Sequence, residues 1–216
     1  MNDRETANGG NGAVARRREL IALATRRARP GSGSGTATLA ARTTRLIWPD
    51  LGQILAGTPW AVCGAVATRL YMPERATADL DIIVLAQDAP SVHGQLSGRG
   101  YRRLNDLSIG GSTWRAPDGQ AVDVIERADA WVAEALAEAA SNRDAQGFPI
   151  LPLRFLVLTK LAASRAQDVA DLSRMLGAAD DRELDRVRAA VREFMPADLD
   201  DLEALIRLGR LEAQEG

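Results

Sequence analysis

The stretch Ala78-Asp79-Leu80-Asp81-Ile82-Ile83-Val84-Leu85 decides the fold of this chain of 216 residues. Its apolar, β-branched second half predicts a strand, on which residues two apart project from the same face. Asp79 and Asp81 therefore converge on one side of the strand. Beyond the two acids the run is apolar on both faces, so helices are expected on both sides of the sheet. Paired carboxylates at a strand end indicate a site for a hard divalent cation.

The same four residues, Ala-Asp-Leu-Asp, occur again at 197–200 in a different setting. The second copy follows Pro196 and leads into apolar residues at helical spacing. Positions two apart on a helix point about 200° around the axis, so Asp198 and Asp200 diverge, as acids at a helix start do. Only the first copy is therefore predicted to bind a metal.

The composition excludes several kinds of site. Cys63 is the only cysteine and His93 the only histidine, which rules out an intrachain disulfide, a thiolate cluster and a multi-histidine zinc site. No apolar run approaches the roughly 18 residues of a membrane helix, and the N-terminus lacks a signal-peptide core, so a cytoplasmic protein is expected. Among 27 basic residues Lys160 is the only lysine. Lysine carries a compact charge that the planar guanidinium of arginine does not replace, so a functional role for Lys160 is considered.

Charge and composition divide the chain into three regions. Residues 1–43 are predicted to be a basic, flexible N-terminal segment, which is either a disordered tail or an arm for RNA phosphates or an acidic partner. Through Arg42, eight basic and three acidic residues give a net charge of +5, which leaves −7 for the rest of a chain of net charge −2. Residues 44–128 alternate short strands and helices, and residues 129–216 are predicted to be helical.

The predicted elements indicate an α/β (α+β) fold, with a mixed β-sheet, flanking helices and a C-terminal helical region. Strands are predicted at 60–63, 79–85, 101–104, 112–115 and 121–125, with a hairpin turn at 117–119. Helices are predicted at 51–55, 66–72, 91–98, 130–140, 153–176, 181–194 and 197–213.

Two further features belong with the Asp79 and Asp81 pair. Gly64 and Ala65 join a predicted strand to a helix, and such a junction offers backbone N–H groups to a phosphate. Asp123 is central in the apolar strand 121–125, where a charge is costly unless it is paired or binds a cation. Three carboxylates from two strands, beside a glycine turn, are thus expected at one site.

This ordered set resembles the core of the nucleotidyltransferase superfamily, over segments 64–71, 75–82 and 122–125. The resemblance implies a nucleotidyltransferase-like sheet and a Mg²⁺ site, with Mn²⁺ as an alternative metal. It makes Asp79 and Asp81 metal ligands and Asp123 a third carboxylate that ligates the metal or activates the attacking group. It also implies nucleotide-binding residues, namely Gly64, Ala65, Thr77 and Lys160. Ala65 stands where the family has Gly or Ser, so only backbone donors remain there.

A second pattern follows Lys160 along a predicted helix of residues 153–176. Arg165 falls within the apolar stripe of that helix, so it should need a carboxylate, and Asp168 one turn on is the nearest candidate. The other polar side chains are expected on an adjacent face: Lys160, Ser164, Gln167 and Asp171.

Residues 160–172 resemble a helix of the AbiEii and MenT nucleotidyltransferase toxins, in which a lysine and a following aspartate belong to the active site. The resemblance places Lys160 at a nucleotide phosphate and either Asp168 or Asp171 in catalytic support. The residues leave both aspartates open. Asp171 is favoured to face the cleft, because Arg165 already accounts for Asp168.

The resemblance implies an ATP-binding, NTP-dependent enzyme that adds NMP to the tRNA 3′ end, as the toxin of a toxin–antitoxin pair. The sequence leaves open which NTP is transferred. A neutralising antitoxin, either a protein or a kinase, is then expected. The acidic body argues against a polynucleotide substrate and suits an alternative, a small-molecule nucleotidyltransferase of the aminoglycoside or lincosamide type. A second alternative is a catalytically weakened nucleotide-binding partner protein, which Ala65 favours and the retained aspartates disfavour.

Overall fold

A computed structural model describes residues 3–32, 48–72 and 77–214 of the chain, with side chains from residue 12 onward. The described residues form two compact units. The first, here called the sheet unit, runs to Pro152, and the second, the helical unit, combines the residues up to 32 with those from Leu153 onward. The division therefore falls after residue 152 and not at the predicted boundary of 128. The reason is that the residues just before position 152 return to the sheet: the Leu151 N–H donates to the carbonyl of Val62 on β1 at 2.9 Å.

Within the described residues, five strands form one mixed sheet of order β1-β2-β5-β4-β3. The strands are β1 (Ala61–Val62), β2 (Asp79–Leu85), β3 (Arg102–Asp106), β4 (Gly111–Arg115) and β5 (Ala121–Arg127). β2 and β5 are parallel, and every other neighbouring pair is antiparallel. The predicted mixed sheet with flanking helices is confirmed, and each predicted strand is present.

The segment predicted as a helix at 66–72 is one α-helical turn at Gly64–Ala67 followed by a 3₁₀ turn at Thr68–Leu70. The other helices follow the predicted pattern with two exceptions. The helices are α1 (Asp3–Arg27), α2 (Leu51–Ile54), α3 (Gly64–Ala67), α4 (Ala89–Gly98), α5 (Val132–Ala139), α6 (Leu153–Ala163), α7 (Ala166–Ala178), α8 (Asp181–Phe194) and α9 (Leu199–Ala213). Short 3₁₀ turns lie at Thr68–Leu70, Ala86–Asp88 and Pro196–Asp198. None of the helices that the structure describes is long and apolar enough to cross a membrane.

The first exception is the N-terminal segment. Within the segment 1–43 that is predicted to be flexible, residues 3–27 form α1. The Arg17 side chain is buried, and its guanidinium donates to Asp201 at 2.7 and 2.9 Å and to the Leu161 carbonyl at 2.5 Å. An arginine so placed anchors the helix, because a buried guanidinium needs such partners. The predicted flexibility of residues 33–43 lies outside the described residues.

The second exception is the predicted helix of residues 153–176, which is two helices. Ser164 has a left-handed φ of 53° and separates α6 from α7. The break is stabilised locally, since the Ser164 hydroxyl donates to the Leu161 carbonyl at 2.5 Å. Arg165 is the N-cap of α7, and its backbone N–H donates to the Asp168 carboxylate at 3.2 Å in a capping box.

α7 and α9 cross at a pair of glycines. A Cβ on Gly177 would overlap the backbone of Gly209, and a Cβ on Gly209 would overlap the Ser173 carbonyl. The two helix backbones are therefore closer than any side chain at these positions would allow.

Candidate active site

Three aspartates of the sheet unit lie together. In the parallel pair of β2 and β5, Asp81 is in register with Asp123, and Asp79 is in register with Ala121. Residues in register on adjacent strands project from the same face. One carboxylate oxygen from each of Asp79, Asp81 and Asp123 lies within 4.8 Å of the other two. The structure thus brings together the three carboxylates that the sequence predicts to converge.

Alternation along the strands explains why these acids face outward. Leu80 and Ile82 on β2, and Val122 and Val124 on β5, are fully buried. The intervening acids are only half-buried and form what we call the carboxylate face of the sheet. α4 covers the opposite face, where the His93 ring nitrogen lies 2.9 Å from Glu126. Burial of the apolar face therefore fixes the direction of all three carboxylates.

Gly64 forms the wall of the site beside Asp81. Its φ is 62°, and a Cβ built on it would overlap the Asp81 carboxylate. The N–H of Cys63 donates to the Asp81 carbonyl oxygen at 2.9 Å, which attaches the turn to β2. Position 64 therefore requires glycine twice, for its left-handed conformation and for the close approach. Ala65, the next residue, is buried.

Thr77 orients one of the acids. Its hydroxyl lies 2.6 Å from Asp79 Oδ1, within hydrogen-bond distance, and donates to that oxygen. An ionised carboxylate can only accept, so a donor at this position restricts the rotation of the Asp79 side chain. The sequence resemblance places Thr77 among nucleotide-binding residues, and the structure adds a direct contact with a proposed metal ligand.

The residues present fit a hard divalent cation. Carboxylate oxygens are the preferred ligands of Mg²⁺, and two ligands on opposite sides of that ion stand about 4.2 Å apart. The three oxygens, within 4.8 Å of one another, already approach that spacing. The Asp81 carboxylate fills the space that a Cβ on Gly64 would otherwise occupy, so glycine at this position allows the carboxylate to lie where it does. These three aspartates can therefore hold a divalent metal ion.

The second predicted group lies in the helical unit. The Lys160 ammonium is 2.7 Å from Asp171 Oδ2 and 3.3 Å from Asp168 Oδ1. All three side chains are buried. The amide of Gln167 donates to the other Asp171 oxygen at 3.1 Å. The lone lysine is thus the centre of a buried ionic cluster of this unit, and both candidate aspartates contact it.

The structure corrects one detail of this group. The Arg165 Nε donates to Asp168 Oδ2 at 2.7 Å, which confirms the predicted pair. The prediction that Arg165 lies in an apolar stripe is wrong, since 71% of its side chain is exposed. The reason is the helix break, which moves Arg165 from the interior of one helix to the N-cap of the next.

An ionic cluster around Arg17 was not among the predicted features. Asp198, read as a helix-start acid, is buried and ion-paired with Arg17, whereas Asp200 is exposed. The predicted divergence of these two acids is confirmed. Arg17 and Asp201 are 184 positions apart in the chain. Local sequence patterns do not predict a contact between residues so far apart. The run of three arginines at 16–18 indicates only a local positive charge, which acidic partners could offset.

Comparisons with known proteins give distant structural neighbours. No protein-family model and no curated protein matches the chain. A crystal structure of ANT(2'')-Ia in complex with adenylyl-2''-tobramycin is similar over 73% of this chain and 94% of that chain, with 17% identity and a TM-score of 0.40. A solution structure of the antibiotic-resistance factor ANT(2'')-Ia matches with 19% identity over 73% of this chain and 89% of that chain, also with a TM-score of 0.40. The crystal structure of the Cid1 poly(U) polymerase matches with 15% identity over 75% and 52% of the two chains, with a TM-score of 0.29.

Proposed function

We propose that this chain is a metal-dependent nucleotidyltransferase, which transfers NMP from an NTP to an acceptor hydroxyl. The observation that carries the proposal is the meeting of Asp79, Asp81 and Asp123 on adjacent parallel strands, beside the glycine turn at Gly64. In the reaction the acceptor oxygen bonds to the α-phosphorus, the bond to the leaving oxygen breaks, and pyrophosphate departs. When bound, Mg²⁺ or Mn²⁺ would offset the phosphate charge and lower the pKa of the attacking hydroxyl.

The side chains of the sheet unit have distinct roles in this proposal. Asp79 and Asp81 hold the cation, and the Thr77 hydroxyl keeps the Asp79 carboxylate in position. Asp123, next to Asp81 on the neighbouring strand, either completes the ligand set or accepts the proton of the acceptor hydroxyl. The backbone at Gly64 and Ala65 contacts the triphosphate. Positioning and charge do most of the catalytic work in phosphoryl transfer.

The predicted role of Lys160 at a nucleotide phosphate stays a prediction, and so does the support expected from Asp168 or Asp171. The two carboxylates hold the ammonium at 2.7 and 3.3 Å. A cation held in this way has a fixed position, which suits either a phosphate contact or a purely structural role. Measuring both the stability and the activity of Lys160 variants distinguishes a phosphate contact from a purely structural role.

For the acceptor, the motif resemblance supports the tRNA 3′ end and therefore a toxin that an antitoxin neutralises. The net charge of −7 after Arg42 favours the second candidate, transfer to a cationic small molecule of the aminoglycoside or lincosamide type. Both candidates use the same three carboxylates and differ only in what supplies the hydroxyl.

The test is a transfer assay on the purified protein. Each α-labelled NTP is incubated in turn with Mg²⁺ or Mn²⁺ and with total tRNA or an aminoglycoside, and the labelled product is identified. Asp81→Asn serves as the matched control, because it keeps the side-chain size and removes the charge. Label in tRNA supports the toxin reading, and label in the aminoglycoside supports the alternative. No transfer to any acceptor, with either metal, would refute the proposal.

A further inference from the structure

The carboxylate face continues beyond the aspartates onto β4 and β3. Strand pairing defines two rows of side chains that run across this face. One row holds Asp81, Asp123, Thr113 and Asn105, and the other holds Asp79, Ala121, Arg115 and Arg102. The Asn105 amide donates to the Thr113 hydroxyl at 3.3 Å, which confirms that these side chains share a face. A polar, arginine-bearing strip therefore borders the carboxylates.

The two arginines of this strip are unusual neighbours. Arg102 is directly opposite Arg115 in the antiparallel pair of β3 and β4. Like charges directly opposite in a sheet are destabilising. Both side chains are exposed, and no hydrogen bond or ion pair of Arg102 with another described residue is found. Within the described ranges, the Arg115 side chain donates to one acceptor, the Gly119 carbonyl, at 3.1 Å. Both guanidinium groups therefore retain donors for an anion from outside.

Local composition adds to this positive charge. Segment 99–120 contains four arginines and two acids, in a body of the chain that is otherwise acidic. Both acids have other partners, since Asp106 pairs with Arg103 at 2.7 Å and Asp118 accepts the Gln120 N–H at 3.0 Å. Among the described residues, neither acid forms an ion pair with Arg102 or Arg115.

The spacing suits a chain of phosphates that leads to the metal site. Neighbouring strands are about 4.8 Å apart, so the Arg115 Cα lies about 10 Å and the Arg102 Cα about 14 Å from Asp79 along the row. An acceptor with its terminal hydroxyl at the carboxylates would carry its preceding phosphates across Thr113 toward these arginines. Guanidinium groups bind phosphate oxygens in a bidentate manner.

We propose that Arg102 and Arg115 form a subsite for the phosphodiester backbone of an RNA acceptor. The inference rests on the proposed nucleotidyltransferase function and specifies its substrate class. Two adjacent guanidinium groups repel a cationic aminoglycoside and attract a polyanion. Although the residues after Arg42 carry a net negative charge, Arg102 and Arg115 give a local positive charge beside the carboxylates, where an RNA strand would bind.

The experiment measures RNA binding directly. Wild type and the double variant Arg102→Gln/Arg115→Gln are titrated against a single-stranded oligoribonucleotide labelled at its 5′ end, at several salt concentrations and without NTP. The matched control is Arg182→Gln/Arg192→Gln, which removes the same charge from two exposed arginines of α8. A second variant, Arg102→Lys/Arg115→Lys, keeps the charge and should keep most of the affinity. Thermal unfolding of each variant checks that the fold is intact.

The loss of two phosphate contacts should raise the Kd of the Gln pair about tenfold or more, and should flatten the slope of log K against log salt by about 1.4. The control pair should bind nearly as wild type does. In the transfer assay, KM for RNA should rise while KM for the NTP stays unchanged. Equal RNA binding by the Gln pair and the control pair, or a rise confined to the KM for NTP, would overturn the subsite.

The two proposals fail in different ways. A protein that binds RNA through Arg102 and Arg115 but transfers no nucleotide would keep the subsite and lose the proposed enzyme function. A protein that labels an aminoglycoside and shows no arginine-dependent RNA binding would keep the enzyme function and lose the subsite.

Discussion

The acids of the sheet unit and those of the helical unit are arranged in opposite ways. Asp168 and Asp171 are buried, and each contacts the ammonium of Lys160 within 3.3 Å. Asp79, Asp81 and Asp123 are half-buried, and one carboxylate oxygen of each lies within 4.8 Å of the other two. A buried carboxylate needs a cationic partner from the chain, such as the Lys160 ammonium, to offset the cost of its burial. A half-exposed group of three concentrates negative charge where a cation from solution can reach it.

The difference predicts opposite responses to the same kind of substitution. Removing one charge from the three clustered sheet acids should relieve their mutual repulsion, so activity should be lost while stability changes little. Removing charge from the helical cluster should lower stability first. Groups that serve function at some cost to stability are common in enzymes.

The largest effect is expected for Asp81→Asn. Transfer should fall about a thousandfold or more, because the bound cation contributes several kcal/mol of charge stabilisation and each 1.4 kcal/mol is about tenfold in rate. Without metal, the variant should unfold at the same temperature as wild type or higher. Mg²⁺ should raise the unfolding temperature of wild type only. Retained activity, or a clear loss of stability, would remove the contrast between the two units.

Lys160→Met should act on stability. It leaves Asp168 and Asp171 buried without their shared cation, and removing one partner of a buried ion pair costs about 3–5 kcal/mol. Urea unfolding measures the change, with Lys160→Arg as the charge-keeping comparison. A Lys160→Met protein that is as stable as wild type but inactive would instead support the predicted phosphate contact.

Thr77→Val should give an intermediate effect on activity. The substitution keeps the shape and deletes the hydroxyl that donates to Asp79 at 2.6 Å. A hydrogen bond to a charged group contributes about 1.5–3 kcal/mol, so transfer should fall about tenfold or more and should need more Mg²⁺ for half-maximal rate. Thr77→Ser should restore both values. An unchanged Mg²⁺ requirement in Thr77→Val would mean that the hydroxyl does not position the acid.

The smallest effect is expected at an exposed ion pair of the helical unit. The hydrogen bond from Arg188, 2.6 Å long, lowers the pKa of Glu203. A carboxyl with a lowered pKa in the folded state stabilises the fold above its unfolded pKa and loses that contribution as pH falls through the folded value. Because 37% of the Glu203 side chain is exposed, Glu203→Gln should cost at most about 0.5 kcal/mol near neutral pH. Unfolding followed from neutral to acidic pH should show the difference between wild type and variant vanish in acid; a difference that grows in acid would contradict the assignment.

Sequence patterns predicted the sheet and the three carboxylates because both depend on local alternation. Buried residues such as Val122 and Val124 fix the direction of Asp123, and a period of two reveals this without knowledge of the partner strands. The break at Ser164 was not predictable, because a left-handed φ at serine is uncommon and carries no sequence signal.

Contacts between residues far apart in the chain could not be predicted from local sequence patterns either. The opposition of Arg102 and Arg115 depends on the register of β3 and β4, which shifts between Arg103 and Asn105. The burial of Arg17 depends on contacts with residues at the far end of the chain. The direction of the carboxylates follows from local alternation, whereas their neighbours on β3 and β4 depend on the register of the sheet.

The crossing of α7 and α9 has a consequence for protein engineering. Replacing a helical glycine by alanine commonly raises stability, by up to about 1 kcal/mol, through better helix propensity. At Gly177 and Gly209 the added methyl group would wedge two helix axes apart, since each position already touches the opposing backbone. A thermostabilisation campaign on this chain should therefore leave both glycines untouched and look for gains on the exposed surfaces of α8.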